Sequence, residues 1–332
     1  MGTTKTKTKT PLFSRKSPGG MFAIVNETLT TGNIYYVDSG QTTTGGTTAG
    51  YGTNPDQPFT TVASALAQCT ASNGDMLFVM PGHAETLTTG VSVAKIGVSI
   101  VGLGNGDNRP TITVNGAIDG WNLSADDIRV KNIRFVNSTS STPRTRLLRV
   151  AGSDITVEGC RFELVDQSSH MISIISGDNI QFLGGEYINA NVTLASLHPQ
   201  TAILNIGGTR VLVKGGRFND CGAKKAERWR TVIEGGALAS STEVQDCTFI
   251  CRGIATATRS AGASDGTGTQ SPTMATIKCM AISPSANTSA GALYTYTYQY
   301  VIESYNVAAI NKHALIGVST SDKRAKTDII YL

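Results

Sequence analysis

The sequence predicts an all-β fold in which short strands wind into a solenoid, and three observations support this prediction. Five eight-residue segments share one pattern and begin at residues 128, 155, 180, 211 and 242, so successive starts are 27, 25, 31 and 31 residues apart. Helical periodicity is confined to one short stretch near residue 65. Charged residues make up 16% of the 332 residues, below the roughly 25% of typical globular domains. We therefore expect a core built from repeated strands.

The shared pattern explains how each repeat would form one coil. Each segment has a β-forming residue at its first and third positions, Gly, Asn or Asp at its fifth, and an aromatic residue at its eighth. The segments are IRVKNIRF, ITVEGCRF, IQFLGGEY, VLVKGGRF and TEVQDCTF. We expect the first and third side chains to point inward and the fifth residue to form a sharp corner, because Gly, Asn and Asp tolerate positive φ. The aromatic residue would stack on its equivalents one coil away, as in a solenoid.

The segment before the repeat predicts a short helix followed by a strand. TVASALAQC (61–69) places apolar residues at helical spacing, and Asn-Gly-Asp (73–75) predicts a turn. MLFVM then has the composition of a strand, and KIGVSIVGLG (95–104) that of a further coil.

These N-terminal segments, together with the repeat, resemble the right-handed parallel β-helix of the pectin-lyase-like class. The resemblance rests on YYVDSG, GYGTNPDQPFTTVASALAQC and NGDMLFVMPGHAE, which lie before the five repeats, and it covers residues 33–255. It implies that the short helix caps the open end of the solenoid, where strand edges would otherwise be unpaired. Proteins of this kind are common in tailed bacteriophages and are often homotrimeric, so the resemblance implies a homotrimer.

The flanking regions differ from the repeat. Residues 1–32 form a basic N-terminal arm, and residues 256–332 are predicted to form a linker and a C-terminal β region. Residues 255–273 are small and polar, which is typical of a linker. Residues 293–308 (LYTYTYQYVIESYNVA) alternate strongly, and we interpret them as one long antiparallel-type strand.

The positive charge of the protein belongs to the arm. The net charge is +4, and the first 20 residues carry +5 with no acidic residue, so the remainder carries 23 minus 24, or −1. The basic residues are Lys5, Lys7, Lys9, Arg15 and Lys16. Two interpretations stay open, namely docking on an acidic partner surface and a solvated tail. A second candidate contact is KKAERWR (224–230), where Arg228 and Trp229 are residue types favoured at interfaces, although an exposed loop is equally compatible.

Equivalent residues of stacked coils form columns with a spacing of about 4.8 Å. A pair of catalytic acids would therefore appear as acids in one column of neighbouring coils. Asp127 and Asp154 precede the first two segments and form the only stacked acid pair among the aligned repeats. They are weak catalytic candidates, since Asp is also a common turn residue. In the seventh column, Glu186 falls between Arg161 and Arg217, which we interpret as a surface charge ladder.

Cysteine and histidine positions predict no metal site and no cofactor. Cys160 and Cys247 share a column but lie three coils, or about 14 Å, apart, so we expect no disulfide between them. The four histidines are scattered, and His83 in PGHAE is expected to be structural.

Two functions remain open at this stage. We favour a virion structural protein that decorates or cements the capsid, with the major capsid protein and further copies of itself as partners. The alternative is a tailspike or fibre protein that binds or cleaves host surface glycans. We expect no enzymatic activity and no specific nucleic-acid partner. The expected location is the capsid surface, after synthesis in the host cytoplasm, because neither a secretory leader nor a membrane span is evident.

Overall fold

The computed structural model describes most of the repeat region and short pieces of the flanks. The described residues are 16–17, 20–21, 30, 32–40, 51–138, 146–165, 170–190, 201–220, 231–235, 240–251, 261–264, 274–283, 294–295, 299–302 and 305–308. No helix within these ranges is long and apolar enough to cross a membrane.

Three parallel sheets form the wall of the molecule. Sheet 1 consists of β3 (Ile34–Val37), β4 (Met76–Val79), β7 (Ser99–Gly102), β10 (Arg129–Lys131), β13 (Ile155–Glu158), β16 (Asp178–Leu183), β19 (Thr209–Lys214), β22 (Ser240–Gln245), β25 (Met274–Ile277) and β28 (Gln299–Ile302). Sheet 2 consists of β5 (Ala84–Leu87), β8 (Thr111–Val114), β11 (Arg134–Asn137), β14 (Arg161–Leu164), β17 (Glu186–Asn189), β20 (Arg217–Asp220), β23 (Thr248–Cys251), β26 (Met280–Ser283) and β29 (Tyr305–Ala308). Sheet 3 consists of β6 (Val91–Val93), β9 (Asp119–Leu123), β12 (Arg146–Val150), β15 (His170–Ile174), β18 (Thr201–Asn205), β21 (Thr231–Gly235), β24 (Ala261–Ser264) and β27 (Tyr294–Thr295).

Each coil passes through sheets 1, 2 and 3 in turn and then returns to sheet 1 beside its own first strand. The chain is therefore a right-handed parallel β-helix, and the predicted fold class is confirmed. Outside the three sheets, β1 (Lys16–Ser17) and β2 (Gly20–Met21) form a small antiparallel pair, α1 spans Val62–Gln68, and a 3-10 turn spans Gly106–Asn108.

The inward side chains stack in columns, as the repeat predicted. Phe135, Phe162, Tyr187, Phe218 and Phe249 form one continuous aromatic stack, with ring centroids 4.3–5.4 Å apart. All five rings are buried, and Trp121 closes the N-terminal end of the stack edge-on against the first ring. The first and third template positions are likewise buried.

The corner between sheets 1 and 2 spans only two residues, and its first residue adopts the left-handed conformation. Asn132 has φ 56° and Gly159 has φ 59°, and the same corner recurs down the column. The Asn132 side-chain amide also donates to the carbonyls of Gly102 and Gly104, both at 2.9 Å, which fastens one coil to its neighbour. Lys278 (φ 51°) forms a further corner of the same kind, so a sixth copy of the template follows the five found in the sequence. The sequence pattern missed this copy because Lys stands at the corner in place of Gly, Asn or Asp.

The N-terminal cap closes the first coil as the resemblance implied. Thr61 is the N-cap residue of α1, and its hydroxyl accepts a hydrogen bond from the Ser64 amide at 3.2 Å. The helix buries Val62, Ala65 and Leu66. His83 is structural, because its Nδ1 accepts from the Ser39 amide at 2.9 Å. The Val62 amide at the start of α1 donates to the Glu85 carboxylate at 3.0 Å, which joins the cap to β5.

The C-terminal strand prediction was wrong. Residues 293–308 do not form one antiparallel strand, since β27, β28 and β29 each pair in parallel with the preceding coil. The tyrosine alternation predicted one antiparallel face, but the described strands of this segment belong to three different sheets. Cys69, Cys160, Cys247 and Cys279 form no disulfide, and Cys160 and Cys247 lie three coils apart as expected.

Candidate functional site

The partner-binding residues expected from the sequence fall mainly outside the described residues. This holds for Lys5, Lys7, Lys9, Arg15, Arg228 and Trp229. Lys16 begins β1, where its backbone pairs with Met21. Contacts of these side chains therefore stay predictions.

Asp127 and Asp154 occupy a corner between sheets 3 and 1. Both have φ 55°, and every residue at this place in successive coils has positive φ: Gly97, Asp127, Asp154, Asn179, Arg210 and Ser241. Asp and Asn adopt this conformation more readily than other residues with a Cβ. The Asp154 carboxylate accepts from the Asn179 amide at 2.7 Å. The positive φ of both residues and the hydrogen bond of Asp154 explain why acids stand at this corner, and no catalytic role is needed to explain them.

The same corner holds an exposed ion pair. The Arg210 guanidinium contacts the Asp178 carboxylate, which also accepts from the Thr209 hydroxyl at 2.7 Å. The hydrogen bonds from Arg210 and Thr209 hold the pKa of the Asp178 carboxyl well below its usual range.

The predicted charge ladder on sheet 2 is present in part: Glu186 contacts Arg161, whereas Arg217 lies beside Glu186 in register without a recorded ion pair. Arg161 lies 3.3 Å from Glu163 and 3.6 Å from Glu186, and Arg134 reaches Glu163 at 2.9 Å. On sheet 1, Glu158 pairs with both Arg129 and Lys131 of the preceding coil, and the hydrogen bonds from these cations outweigh burial and lower the pKa of its carboxyl. The outer walls of sheets 1 and 2 thus neutralise much of their own charge.

The outer face of sheet 3 is different, because its polar side chains are buried. Register places Arg149 beside Ser173, and His170 beside Thr201, on neighbouring strands. Ser173 and Thr201 are fully buried and His170 is 9% exposed, although all three point away from the core. We name this the sheet 3 face, formed by Arg146, Arg149, His170, Ser173 and Thr201.

Long connections precede the strands of this face. The chain passes from sheet 1 to sheet 2 in two residues, but it needs residues 138–145, 165–169, 190–200 and 221–230 to pass from sheet 2 to sheet 3. Each of these connections leads to the N-terminal end of a sheet 3 strand, and the KKAERWR segment belongs to the last of them.

Hydrogen bonds hold the side chains of this face in place. His170 Nδ1 and the Thr201 hydroxyl are 2.6 Å apart. The Arg149 guanidinium donates to the Asn122 side chain at 3.1 Å, and Arg146 lies 3.5 Å from Asp119 with about a third of its side chain exposed. The Ser173 hydroxyl has no hydrogen-bond partner within the described part of the chain. The guanidinium groups of Arg146 and Arg149 belong to partly exposed side chains, and such donors can hold a polar or anionic group.

The face does not form a pair of catalytic carboxylates. Among the described sheet 3 strands, the acids are Asp119 and Glu234, which lie four coils, or about 19 Å, apart. Two-carboxylate glycoside hydrolysis needs about 5–9 Å. The chemistry available here is binding through donors.

His170 provides a pH test of this site. Burial, followed by the charge of Arg146, lowers the pKa of His170 to about 4 from its usual 6.5. As the pH falls, His170 is therefore protonated in the unfolded chain before it is protonated in the folded protein. The free energy of unfolding decreases as the pH drops from about 6.5 to 4. We expect a loss of about 2 kcal/mol in unfolding free energy between pH 7 and pH 5 from this group. The measurement is denaturant unfolding of the wild type and of His170→Gln at both pH values, and an equal pH dependence in the two proteins would contradict it.

The template columns could not find the sheet 3 face, because the template covers sheets 1 and 2 only. A usable signal was present in RLLRV and HMISI, which share the order polar, apolar, apolar, polar, apolar, and TAILN begins with the same polar, apolar, apolar order. The variable connections before these strands hide their alignment.

Comparison with known proteins adds the fold alone. No protein-family model and no curated protein matches the chain. A rhamnogalacturonan lyase is 12% identical over 83% of this chain and 74% of its own, with a TM-score of 0.49. ORF18 of Geobacillus virus E2 is 11% identical over 74% of this chain and 56% of its own, with a TM-score of 0.36.

Proposed function

We propose that this chain is a structural protein of a virus particle, which decorates the capsid and docks on it through the basic N-terminal arm. One observation carries the proposal, namely the segregation of charge. The first 20 residues hold +5 and the other 312 residues hold −1. A solenoid whose walls pair their own charges exerts little long-range attraction, so attraction toward an acidic surface is concentrated in the arm.

The ion pairs of the solenoid support the assignment of docking to the arm. Glu158 and Glu163 each contact two cations of neighbouring residues, so outward-facing charge is used within the wall. In contrast, the alternation Lys-Thr-Lys-Thr-Lys at 5–9 places no acid near its lysines in sequence. The resemblance to β-helix proteins of tailed bacteriophages supports a particle as the partner.

The number of copies per particle tests the location. Quantitative mass spectrometry of purified particles, measured against the major capsid protein, is expected to find hundreds of copies of this chain. A handful of copies would contradict a capsid role and would favour a tail appendage.

A charge-removal variant tests the docking mode. Replacing Lys5, Lys7 and Lys9 with Gln is expected to leave a folded, soluble protein that binds particles at least tenfold more weakly at low salt, because exposed charges contribute attraction that salt screens. The matched control replaces Thr4, Thr6 and Thr8 with Gln, which alters the same stretch at constant charge. Binding is measured by co-sedimentation with particles lacking the protein. Full occupancy by the lysine variant would refute docking through the arm.

A second candidate function is glycan binding at the sheet 3 face, and the partly exposed side chains of Arg146 and Arg149 favour it. Sugars offer hydroxyl and carboxylate groups that suit such donors. This role is compatible with capsid decoration, since the arm and the sheet 3 face are formed by different parts of the sequence.

Arg149→Ala tests this second role. We expect at least a tenfold loss of affinity for any host surface glycan that the protein binds, because a charged donor is removed beside a buried hydroxyl. The matched control is Asp127→Asn with Asp154→Asn, which changes two corner residues and is expected to leave both binding and any cleavage unchanged. Isothermal titration with host polysaccharide gives the affinity. Lost cleavage in the double Asp variant would overturn our interpretation of these acids.

A further inference from the structure

A separate apolar cluster lies on the outer face of sheet 1, at its N-terminal end. It consists of seven side chains on β3, β4, β7 and the residues that follow them: Ile34, Tyr36, Met76, Phe78, Met80, Val101 and Leu103. We name it the N-terminal apolar patch. Register aligns Tyr36 with Phe78 and Phe78 with Val101, so part of the patch is one outward column. The next two residues of that column are Lys131 and Glu158.

The centre of the patch is buried although it faces outward. Tyr36, Met76 and Phe78 are 8%, 2% and 5% exposed. Side chains that stand side by side on one face of a sheet cover each other's flanks but not their outer ends. Among the described residues, the apolar members of this cluster all belong to the patch itself. An apolar cover for these outer ends would therefore come from a segment outside the described residues.

Chain continuity and composition indicate which segment this is. The Thr30 hydroxyl donates to the Gly74 carbonyl, and the Asn33 amide donates to Asp75 at 2.6 Å, so the chain arrives beside the start of β4. The eight residues before it, 22–29, read FAIVNETL and carry four large apolar side chains. The other nearby segment, 41–50, reads QTTTGGTTAG and has none. Eight extended residues reach about 26 Å, which exceeds the roughly 10 Å across three strands.

We propose that residues 22–29, which lie outside the described residues, pack over the N-terminal apolar patch and anchor the arm to the solenoid. The basic residues 5–16 would then extend from a fixed point at the capped end of the molecule. This inference stands apart from the proposed function, because it concerns how the arm is attached and not what the arm binds.

Photo-cross-linking tests the occupant directly. A photoreactive p-benzoylphenylalanine in place of Val101, at the edge of the patch, is expected to cross-link within one chain to a peptide containing residues 22–29. The matched control carries the same group in place of Leu183, which lies outward in the same column three coils further on and should not reach that peptide. A cross-link to another segment, a cross-linked dimer, or no difference between the two positions would each overturn the proposal.

Two truncations separate this inference from capsid docking. Deleting residues 2–29 is expected to raise the fluorescence of the apolar dye ANS several-fold and to lower Tm, because the patch becomes exposed. Deleting residues 2–20 should change neither quantity while abolishing attachment to particles. Equal ANS binding by both truncated proteins would contradict the anchor, whereas attachment of the shorter truncation would contradict only the docking proposal.

Discussion

Replacing Phe162 with alanine is expected to lower the free energy of unfolding by about 3–5 kcal/mol. The ring is fully buried between Phe135 and Tyr187, at centroid distances of 5.1 Å and 5.4 Å and nearly parallel to both. Neighbouring coils hold the backbone on either side, so the cavity left by the ring has little freedom to collapse. The measurement is equilibrium denaturant unfolding followed by circular dichroism.

The matched control is Phe162→Leu, which keeps most of the volume and removes the aromatic contacts. It is expected to cost about 1–2 kcal/mol, because a stacked ring pair contributes about 0.5–1.5 kcal/mol beyond its buried area. Equal losses for the two variants would show that stacking, and not filled volume, holds the column together. A loss below about 1 kcal/mol for the alanine variant would refute the central position of the stack.

Asp75→Ala is expected to produce a second large loss, of about 3–5 kcal/mol, at the N-terminal cap. The buried Asp75 carboxylate accepts from the backbone amides of Asn33 and Thr70 and from the side chain of Asn73, each at 2.6 Å. It thereby joins β3, the end of the helical segment and β4. Alanine leaves two backbone donors without their partner, and thermal unfolding combined with hydrogen exchange of β3 and β4 measures the result.

Asn73→Ala serves as the control for this site, because it removes one side-chain hydrogen bond to the same carboxylate and leaves the backbone donors satisfied. We expect a loss of about 1 kcal/mol. If both substitutions destabilise the protein equally, the backbone contacts of Asp75 contribute nothing measurable, and our account of the cap is wrong.

Much of the fold could be predicted because its determinants are local. The corner at Gly159 needs a residue that accepts positive φ, and Phe162 three residues later returns to the core, so one short segment encodes both features. The template failed where a local residue departs from this code. Lys278 adopts the corner conformation without the usual residue type, and its copy lacks the aromatic, so the coil was missed.

The candidate site could be predicted only in part. Asp127 and Asp154 were correctly placed in adjacent coils, since both sit one residue before a template that the sequence displays. Arg149 and Ser173 were not found, because the connections before their strands span 138–145 and 165–169 and differ in length. No fixed spacing in the chain relates one residue to the other.

By itself the sequence determined the all-β solenoid, its aromatic stack, its capped end and the segregation of positive charge into the arm. These features depend on residue type and short spacing, which a linear chain displays directly. Only the tertiary structure decided that outward polar side chains on sheet 3 are buried and that the outer face of β3 and β4 is covered. Burial of an outward side chain depends on which distant segment lies over it, and a repeat pattern carries no information about that.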